Sequence, residues 1–246
     1  LMQPIRVYGD PGGYSLIAIG CAKVMGINVI PNFNRPFFAT TMSEFWRRWH
    51  MSLIKWLTDY LYTALSFAFR RYGKWGIVIA LNLTFIISGA WHGAALNFLV
   101  WGFIQGVALS VEMLTRKRKD AFEARFNLSK KWWYIMFGCV FTYLLFALSL
   151  SFGGDAATVP EVMKIMERIF TDSLRLPYKD GDTMLYGFIA FCILFLKDFM
   201  EEYYPGRILL FNNKNNTIRW LSYYTLIFLI FYLGISSGQQ FVYFQF

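Results

Sequence analysis

Two histidines are the only side chains in this 246-residue chain whose ordinary pKa lies close to neutrality. His92 stands in the tripeptide Trp91-His92-Gly93, inside a long apolar stretch. His50 ends the aromatic and basic run FWRRWH at residues 45–50. Proton transfer near neutral pH therefore has two candidate carriers, and the first question is which elements hold them.

His92 lies where an ionisable side chain is costly, because its neighbours are apolar enough to sit in a bilayer. Gly89 and Gly93 flank it and allow a helix break or a close backbone approach, and Trp91 and Trp101 are placed to wall a pocket. An imidazole in such surroundings stays neutral and can accept a proton from a hydroxyl. This predicts a general base for acyl transfer to an alcohol. A histidine that hydrogen-bonds two helices together is the alternative, and both interpretations stay open.

His50 follows a capping box at Thr41 and Glu44, which predicts a helix beginning near Met42. If this helix is continuous, the spacing of its residues gives it a polar stripe and an apolar side. This amphipathic pattern predicts that the helix lies in the cytoplasmic membrane interface. The polar stripe is Arg48, Ser52, Lys55 and Asp59, and the apolar side is Trp46, His50, Leu53 and Leu57. His50 is then either a packed histidine or a support for the site, and Arg47 and Arg48 are predicted to anchor the helix to lipid headgroups.

The composition places the chain in a membrane: 57% of its residues are hydrophobic and 20% are aromatic. The net charge of +9 comes from basic residues between apolar segments, a pattern that reports topology and lipid contact rather than nucleic-acid binding. Three scattered cysteines have no partner at metal-ligand spacing, so we expect neither a metal site nor a bound cofactor. The glycine-rich residues 9–13 are interpreted as a bend.

The apolar segments predict an all-α polytopic membrane protein with transmembrane, interfacial and re-entrant helices. Residues 77–114 suit two spans in a tight hairpin, and further helices are predicted at 14–30, facing protein, and at the spans 132–152, 184–196 and 221–235. The basic loop 116–131 is predicted on the cytoplasmic side, and the acid-rich stretch 153–183 on the external side with short helices. This topology brings the turn after His92 toward the outer face.

Several motifs resemble the membrane-bound O-acyltransferases, specifically their bacterial branch of alginate O-acetylation and teichoic-acid D-alanyl transfer proteins. They occur in order as NFNRPF at residues 32–37, FWRRWHMSL at 45–53, Trp56, DYLY at 59–62 and SGAWHGA at 88–94. The resemblance implies that residues 1–246 are the C-terminal part of one such membrane domain, with an N-terminal part missing.

By the same resemblance, His92 corresponds to the family's active-site histidine and His50 to its second characteristic histidine. Pocket or scaffold roles are expected for Trp91, Gly93, Trp49, Asn34, Trp101 and Gln105. Gln105 departs from the family pattern, because many relatives have histidine there, and an amide cannot change charge near neutral pH.

The resemblance implies a multi-pass inner-membrane O-acyltransferase, acetyl transfer being the expected reaction. It would pass an acyl group from a cytoplasmic thioester such as acetyl-CoA toward an extracytoplasmic polysaccharide or cell-wall polymer. A periplasmic or secreted acetyltransferase-like partner and membrane lipids are the expected partners. The competing hypothesis is a non-catalytic transporter or flippase subunit whose histidine lines a path, although such proteins usually show internal repeats and several midplane charges.

Overall fold

The computed structural model describes residues 3–93, 95–153, 158–171, 181–206, 210–211 and 213–233. These residues form two compact units, Leu1–Ser173 and Leu174–Phe246. Within the described ranges every regular element is helical, which confirms the predicted all-α class. The first unit holds α1 Gln3–Val24, α2 Met42–Arg48, α3 Met51–Trp56, α4 Thr63–Ala68, α5 Lys74–His92, α6 Leu96–Phe126, α7 Trp132–Ser149 and α8 Val159–Thr171; the second holds α9 Gly181–Tyr203 and α10 Asn216–Leu233.

Helices α5 and α6 form the predicted hairpin, and their backbones touch through glycine. A Cβ atom on Gly89 would lie 2.2 Å from the carbonyl oxygen of Phe98, and one on Gly102 would lie 2.2 Å from that of Phe85. Only a hydrogen atom fits at either position, so the helices approach more closely than side chains would permit. The side-chain amide nitrogen of Asn82 donates a hydrogen bond of 2.9 Å to the Ser110 hydroxyl across the same interface.

Three helices among the described residues are long and apolar enough to cross a membrane, namely α5, α6 and α7. They correspond to the predicted spans at 77–114 and 132–152. Helices α9 and α10 confirm that helices occupy the two C-terminal segments, but neither meets the same length and hydropathy criterion. The end of the predicted span 221–235 lies outside the described residues.

The first helix corrects two predictions. Residues 9–13 are not a bend, because α1 runs through them with Pro11 in its interior. Gly12 lies against the Tyr8 ring, 3.6 Å from where a Cβ atom would stand, so this glycine serves packing within a helix. The segment 14–30 does not face protein throughout, since Leu16 and Ile17 are 64% and 68% exposed. The helix ends before Gly26, whose φ of 77° is readily adopted by glycine.

The basic stretch 116–131 is mostly helix rather than loop, because α6 continues to Phe126. Ion pairs one turn apart support this extension, with Arg116 3.8 Å from Asp120 and Lys119 3.6 Å from Glu123. In the acid-rich stretch, α8 confirms the expected short helix, and Glu161 accepts a hydrogen bond from the Thr158 amide at its start. Residues 154–157 and 172–180 of that stretch lie outside the described residues.

Candidate active site

The segment that carries His50 is broken into two helices, and the second continues from α3 through a π-helix at Leu57–Tyr62 into α4. This overturns the prediction of one continuous interfacial helix. Helix α2 begins at Met42 as expected, with the Thr41 hydroxyl accepting the Glu44 amide at 3.2 Å. It ends at Arg48, and α3 starts at Met51, because His50 adopts the left-handed conformation with φ 43° and ψ 52°. Few residues other than glycine, asparagine and aspartate take this conformation, so the break is enforced by tertiary contacts.

A loop at residues 32–34 supplies those contacts by pairing with the backbone groups that the break leaves open. The Asn34 amide donates to the Arg48 carbonyl at 2.8 Å, and the Met51 amide donates to the Asn32 carbonyl at 2.8 Å. The Asn32 side-chain oxygen accepts the amide and the hydroxyl of Ser52 at 3.1 and 2.9 Å. The break therefore leaves few backbone amides and carbonyls without a hydrogen-bond partner.

Arg48 faces the protein instead of a lipid phosphate. Its guanidinium lies 2.7 Å from a carboxylate oxygen of Glu44. It also donates to the Arg35 carbonyl at 3.4 Å. Burial acts to raise the pKa of Glu44, but the backbone hydrogen bond from Thr40, the charge of Arg48 and side-chain hydrogen bonds lower it overall. Arg47 is exposed, so its predicted lipid role stays a prediction.

Trp49 is buried in an aromatic cluster that fixes the end of α2. It stacks on Phe45 with ring centroids 5.4 Å apart and meets Phe146 of α7 at 5.0 Å and Phe33 at 5.1 Å. These contacts fit the predicted scaffold role. Asn34, the other scaffold candidate nearby, is exposed and contributes its backbone amide to the Arg48 carbonyl.

The His50 imidazole is half-buried beside Phe33, with the two ring centroids 6.2 Å apart. Its Nδ1 atom is buried and has no hydrogen-bond partner among the described residues. Burial lowers the pKa of His50 below the ordinary 6.5, so the ring is neutral at neutral pH. A neutral imidazole with a buried, unpaired nitrogen can take part in hydrogen bonding or proton transfer.

His92 is the last residue of α5, at the point where the hairpin turns. Gly93 follows in an extended conformation, and a Cβ atom there would lie 2.4 Å from the Phe98 ring, so a side chain would not fit without displacing that ring. Two indoles meet His92 edge to face: Trp91 at 4.9 Å and Trp101 at 5.2 Å between ring centroids. Both indoles were predicted to wall a pocket at His92. Trp101 is buried and forms an inner wall beside His92, whereas Trp91 is 61% exposed and lies on the outer side.

Aromatic contacts connect the segment before His50 to His92, although 42 positions separate the two histidines in sequence. Trp46 of α2 meets Trp101 with ring centroids 6.0 Å apart, and Trp101 meets His92 at 5.2 Å.

Gln105 anchors the inner side of this site and is almost completely buried, at 1% exposed. Its side-chain oxygen accepts the Trp46 indole N–H at 3.3 Å, and its amide nitrogen donates to the Ser149 hydroxyl at 2.6 Å. Gln105 therefore ties α2, α6 and α7 together. An uncharged amide can accept and donate at once, and Gln105 does both here.

Trp46 links this network to His92 and is a site residue that the sequence reasoning left out. Its ring meets Trp101 at 6.0 Å, nearly perpendicular, and Trp101 in turn meets His92. The sequence predicted that Trp46 lies on the apolar side of a helix. Nothing in the spacing indicated that Trp46 donates a hydrogen bond to Gln105. Asn32 and Ser149 were also missed. Asn32 lies in the motif NFNRPF, whereas Ser149 at the end of a span carried no signal.

The sequence profile of the membrane-bound O-acyltransferase family matches residues 2–151. This range contains both histidines, the hairpin and the Gln105 network. The chain belongs to the membrane-bound O-acyltransferase family. It is accordingly a membrane protein, in agreement with the three apolar helices found among the described residues.

Three relatives within this family have names that refer to different polymers. The chain is 42% identical over 112 residues to a protein of Pseudomonas syringae pv. tomato named probable alginate O-acetylase AlgI, covering 46% of this chain and 21% of that protein. It is 40% identical over 111 residues to the peptidoglycan O-acetyltransferase of Helicobacter pylori, covering 45% and 21%. It is 34% identical over 110 residues to the teichoic acid D-alanyltransferase of Bacillus subtilis, covering 42% and 28%. The chain thus matches between 21% and 28% of the length of these relatives.

Proposed function

We propose that this protein is a membrane-embedded O-acyltransferase that uses His92 as its general base. The observation that carries the proposal is the position of His92, at a helix end and edge to face with a buried indole. An ionisable side chain at the end of an apolar span is energetically costly and usually has a function. Proton transfer is a function that an imidazole can perform.

The reaction follows from the chemistry of a neutral imidazole. His92 takes the proton from an acceptor hydroxyl, and the hydroxyl oxygen forms a bond to the carbonyl carbon of an acyl thioester. The tetrahedral intermediate then collapses, the carbon–sulfur bond breaks, and the thiolate leaves with the proton returned by the imidazolium. The product is an oxygen ester and a free thiol.

Acetyl is the acyl group that we propose, because relatives named for O-acetylation are among the most similar. The acceptor we propose is an exopolysaccharide or another envelope glycan, since the names of the relatives refer to alginate, peptidoglycan and teichoic acid. We place the protein in the inner membrane as a multi-pass protein, with acetyl-CoA or another thioester supplied from the cytoplasm. A periplasmic or secreted acetyltransferase-like partner would complete the transfer to the polymer.

Replacement of both histidines in turn tests this proposal. His92→Gln and His92→Ala should abolish transfer of a labelled acetyl group to polymer in membranes that contain the full-length protein, while the folded yield in detergent stays that of the parent. His50→Asn should retain part of the activity, because His50 supports the site in this scheme. Full acetylation by both His92 variants would refute the proposal.

The same assay separates the enzyme from a transporter or flippase subunit. Purified protein that forms the ester from labelled donor and acceptor is an acyltransferase, because a conduit makes no covalent bond. A protein that moves donor or polymer across vesicles without forming an ester would support the transporter instead.

A further inference from the structure

The indole N–H of Trp101 is a buried hydrogen-bond donor beside His92. Trp101 is 5% exposed, and its Nε1 atom has no acceptor among the described residues. A buried donor left without a partner destabilises the folded protein, so such groups usually have a ligand, a water molecule or a functional reason.

Two ring contacts hold the Trp101 ring in place. His92 meets it edge to face at 5.2 Å, with an interplanar angle of 86°, and Trp46 meets it at 6.0 Å and 75°. Trp46 is in turn held by the hydrogen bond to Gln105 at 3.3 Å. The indole therefore has little freedom to rotate toward another acceptor.

Gly153 lies against the face of the five-membered ring of Trp101. A Cβ atom at that position would lie 3.1 Å from Cδ1, 3.2 Å from Cγ and 3.3 Å from Nε1 of Trp101, closer than ordinary contact. The neighbouring carbonyl of Phe152 accepts the Asn97 side chain at 3.0 Å, which fixes this segment against α6. A side chain on residue 153 would therefore displace the indole or this segment.

We propose that the Trp101 N–H donates a hydrogen bond to the carbonyl oxygen of the acyl group during transfer. The inference rests on the proposed function. When the acceptor oxygen attacks the carbonyl carbon, the carbonyl π electrons move onto the carbonyl oxygen, and His92 holds the proton that the hydroxyl has lost. The indole N–H stabilises the negative oxygen, and collapse of the intermediate returns those electrons as the carbon–sulfur bond breaks. Trp101 acts here as a catalytic residue that touches substrate.

Trp101→Phe removes the N–H and keeps an aromatic ring, so it is the direct test. The assay measures kcat and KM for transfer of labelled acetyl from acetyl-CoA to oligosaccharide fragments of the envelope polymer, in membranes with the full-length protein. Loss of one donor to a developing oxyanion typically lowers kcat about 100-fold. We expect that loss with KM changed less than about 3-fold, because the bond is strongest in the transition state. Trp132→Phe, at an indole that is 71% exposed at the start of α7, is the matched control with parental kcat.

Gly153→Ala provides a second variant in which the indole remains. The added methyl would press on Cδ1, Cγ and Nε1 of Trp101 and displace the indole, so we expect kcat to fall by about 10-fold or more, in line with loss of an oriented donor. Gly20→Ala serves as its control, because nothing lies within 4 Å of a Cβ atom at that position. If Trp101→Phe yields too little folded protein, Gly153→Ala decides the question by itself.

The outcomes separate this inference from the proposed function. A kcat of Trp101→Phe within about 3-fold of the parent, with His92→Gln inactive, overturns the role of Trp101 and leaves the acyltransferase standing. A rise in KM with unchanged kcat also overturns it, because the donor would then serve ground-state binding alone. An active His92→Gln variant, or a parent protein that forms no ester, removes the proposed function and the inference with it.

Discussion

The turn that carries His92 lies between two helices whose backbones touch, whereas the break that carries His50 is bridged by a loop through hydrogen bonds. In the first region, Gly89 and Gly102 let α5 and α6 meet at carbonyl oxygens. In the second region, Asn32 pairs with the open amides at the start of α3. Close packing of the two backbones thus positions His92, the proposed base. Hydrogen bonds position His50, which supports it.

The two kinds of positioning differ in how they should respond to substitution. Contact between backbones admits no added atom, so a methyl group in the first region forces the helices apart. Hydrogen bonds in the second region contribute on the order of 1 kcal/mol each, so their loss should weaken the segment without unfolding the protein. Substitutions in the first region are therefore expected to unfold the protein, and substitutions in the second region are expected to weaken it.

The largest effect is expected for Gly89→Ala, because the new Cβ would lie 2.2 Å from the Phe98 carbonyl oxygen. We expect most of the folded protein and nearly all acetyl transfer to be lost. Size-exclusion profiles in detergent and the acyl-transfer assay measure this, with Gly20→Ala as the control. A Gly89→Ala protein with parental yield and activity would show that the hairpin tolerates separation, and that His92 is positioned by something else.

An intermediate effect is expected for Asn32→Ala, which removes the acceptor for the amide and hydroxyl of Ser52. Loss of these bonds should destabilise the protein by about 1–3 kcal/mol and lower activity only in part. Thermal unfolding in detergent, followed by tryptophan fluorescence, measures the change. Asn32→Asp keeps the acceptor oxygen and should restore most of the stability. Equal losses in the alanine and aspartate variants would contradict a capping role.

The smallest effect concerns the pH dependence of stability. Burial lowers the pKa of His50 below 6.5 in the folded protein, so the unfolded chain binds the proton more readily. The stabilising contribution of this group is complete above the unfolded pKa and is lost as the pH falls through the folded pKa. His50→Asn tolerates the left-handed backbone and has no titrating group, so its stability should fall less than that of the parent below about pH 6.5. Parallel curves for parent and variant would contradict this sign.

Much of the hairpin could be predicted from the sequence, since residues 77–114 are apolar, uncharged and too long for a single span. The start of α2 at Met42 could also be predicted, because a capping box is a local signal between two residues three positions apart, here Thr41 and Glu44. The all-α membrane class and the family followed from composition and from motifs in order. These features depend on neighbouring residues in the chain.

The break at His50 could not be predicted, because the amphipathic pattern continues through it and the loop that stabilises it comes from residues 32–34. The helical course of residues 116–126 was hidden by a charge pattern that suits a loop as well as a helix. The role of Gln105 was expected only as pocket or scaffold. Its two hydrogen bonds depend on Trp46 and Ser149, 59 and 44 positions away. The roles of His50, His92 and their neighbours in catalysis stay predictions.

The sequence by itself determined that two histidines lie in an apolar, helical membrane chain of this family, because hydrophobicity, capping and motif order are properties of the chain read in one dimension. Only the tertiary structure decided that α2 is connected to His92 through Trp46 and Trp101, that Trp101 is the inner wall of His92, and that the helix breaks at His50. Each of these depends on contacts between residues far apart in sequence, whose free energies exceed local helix propensity at a single position.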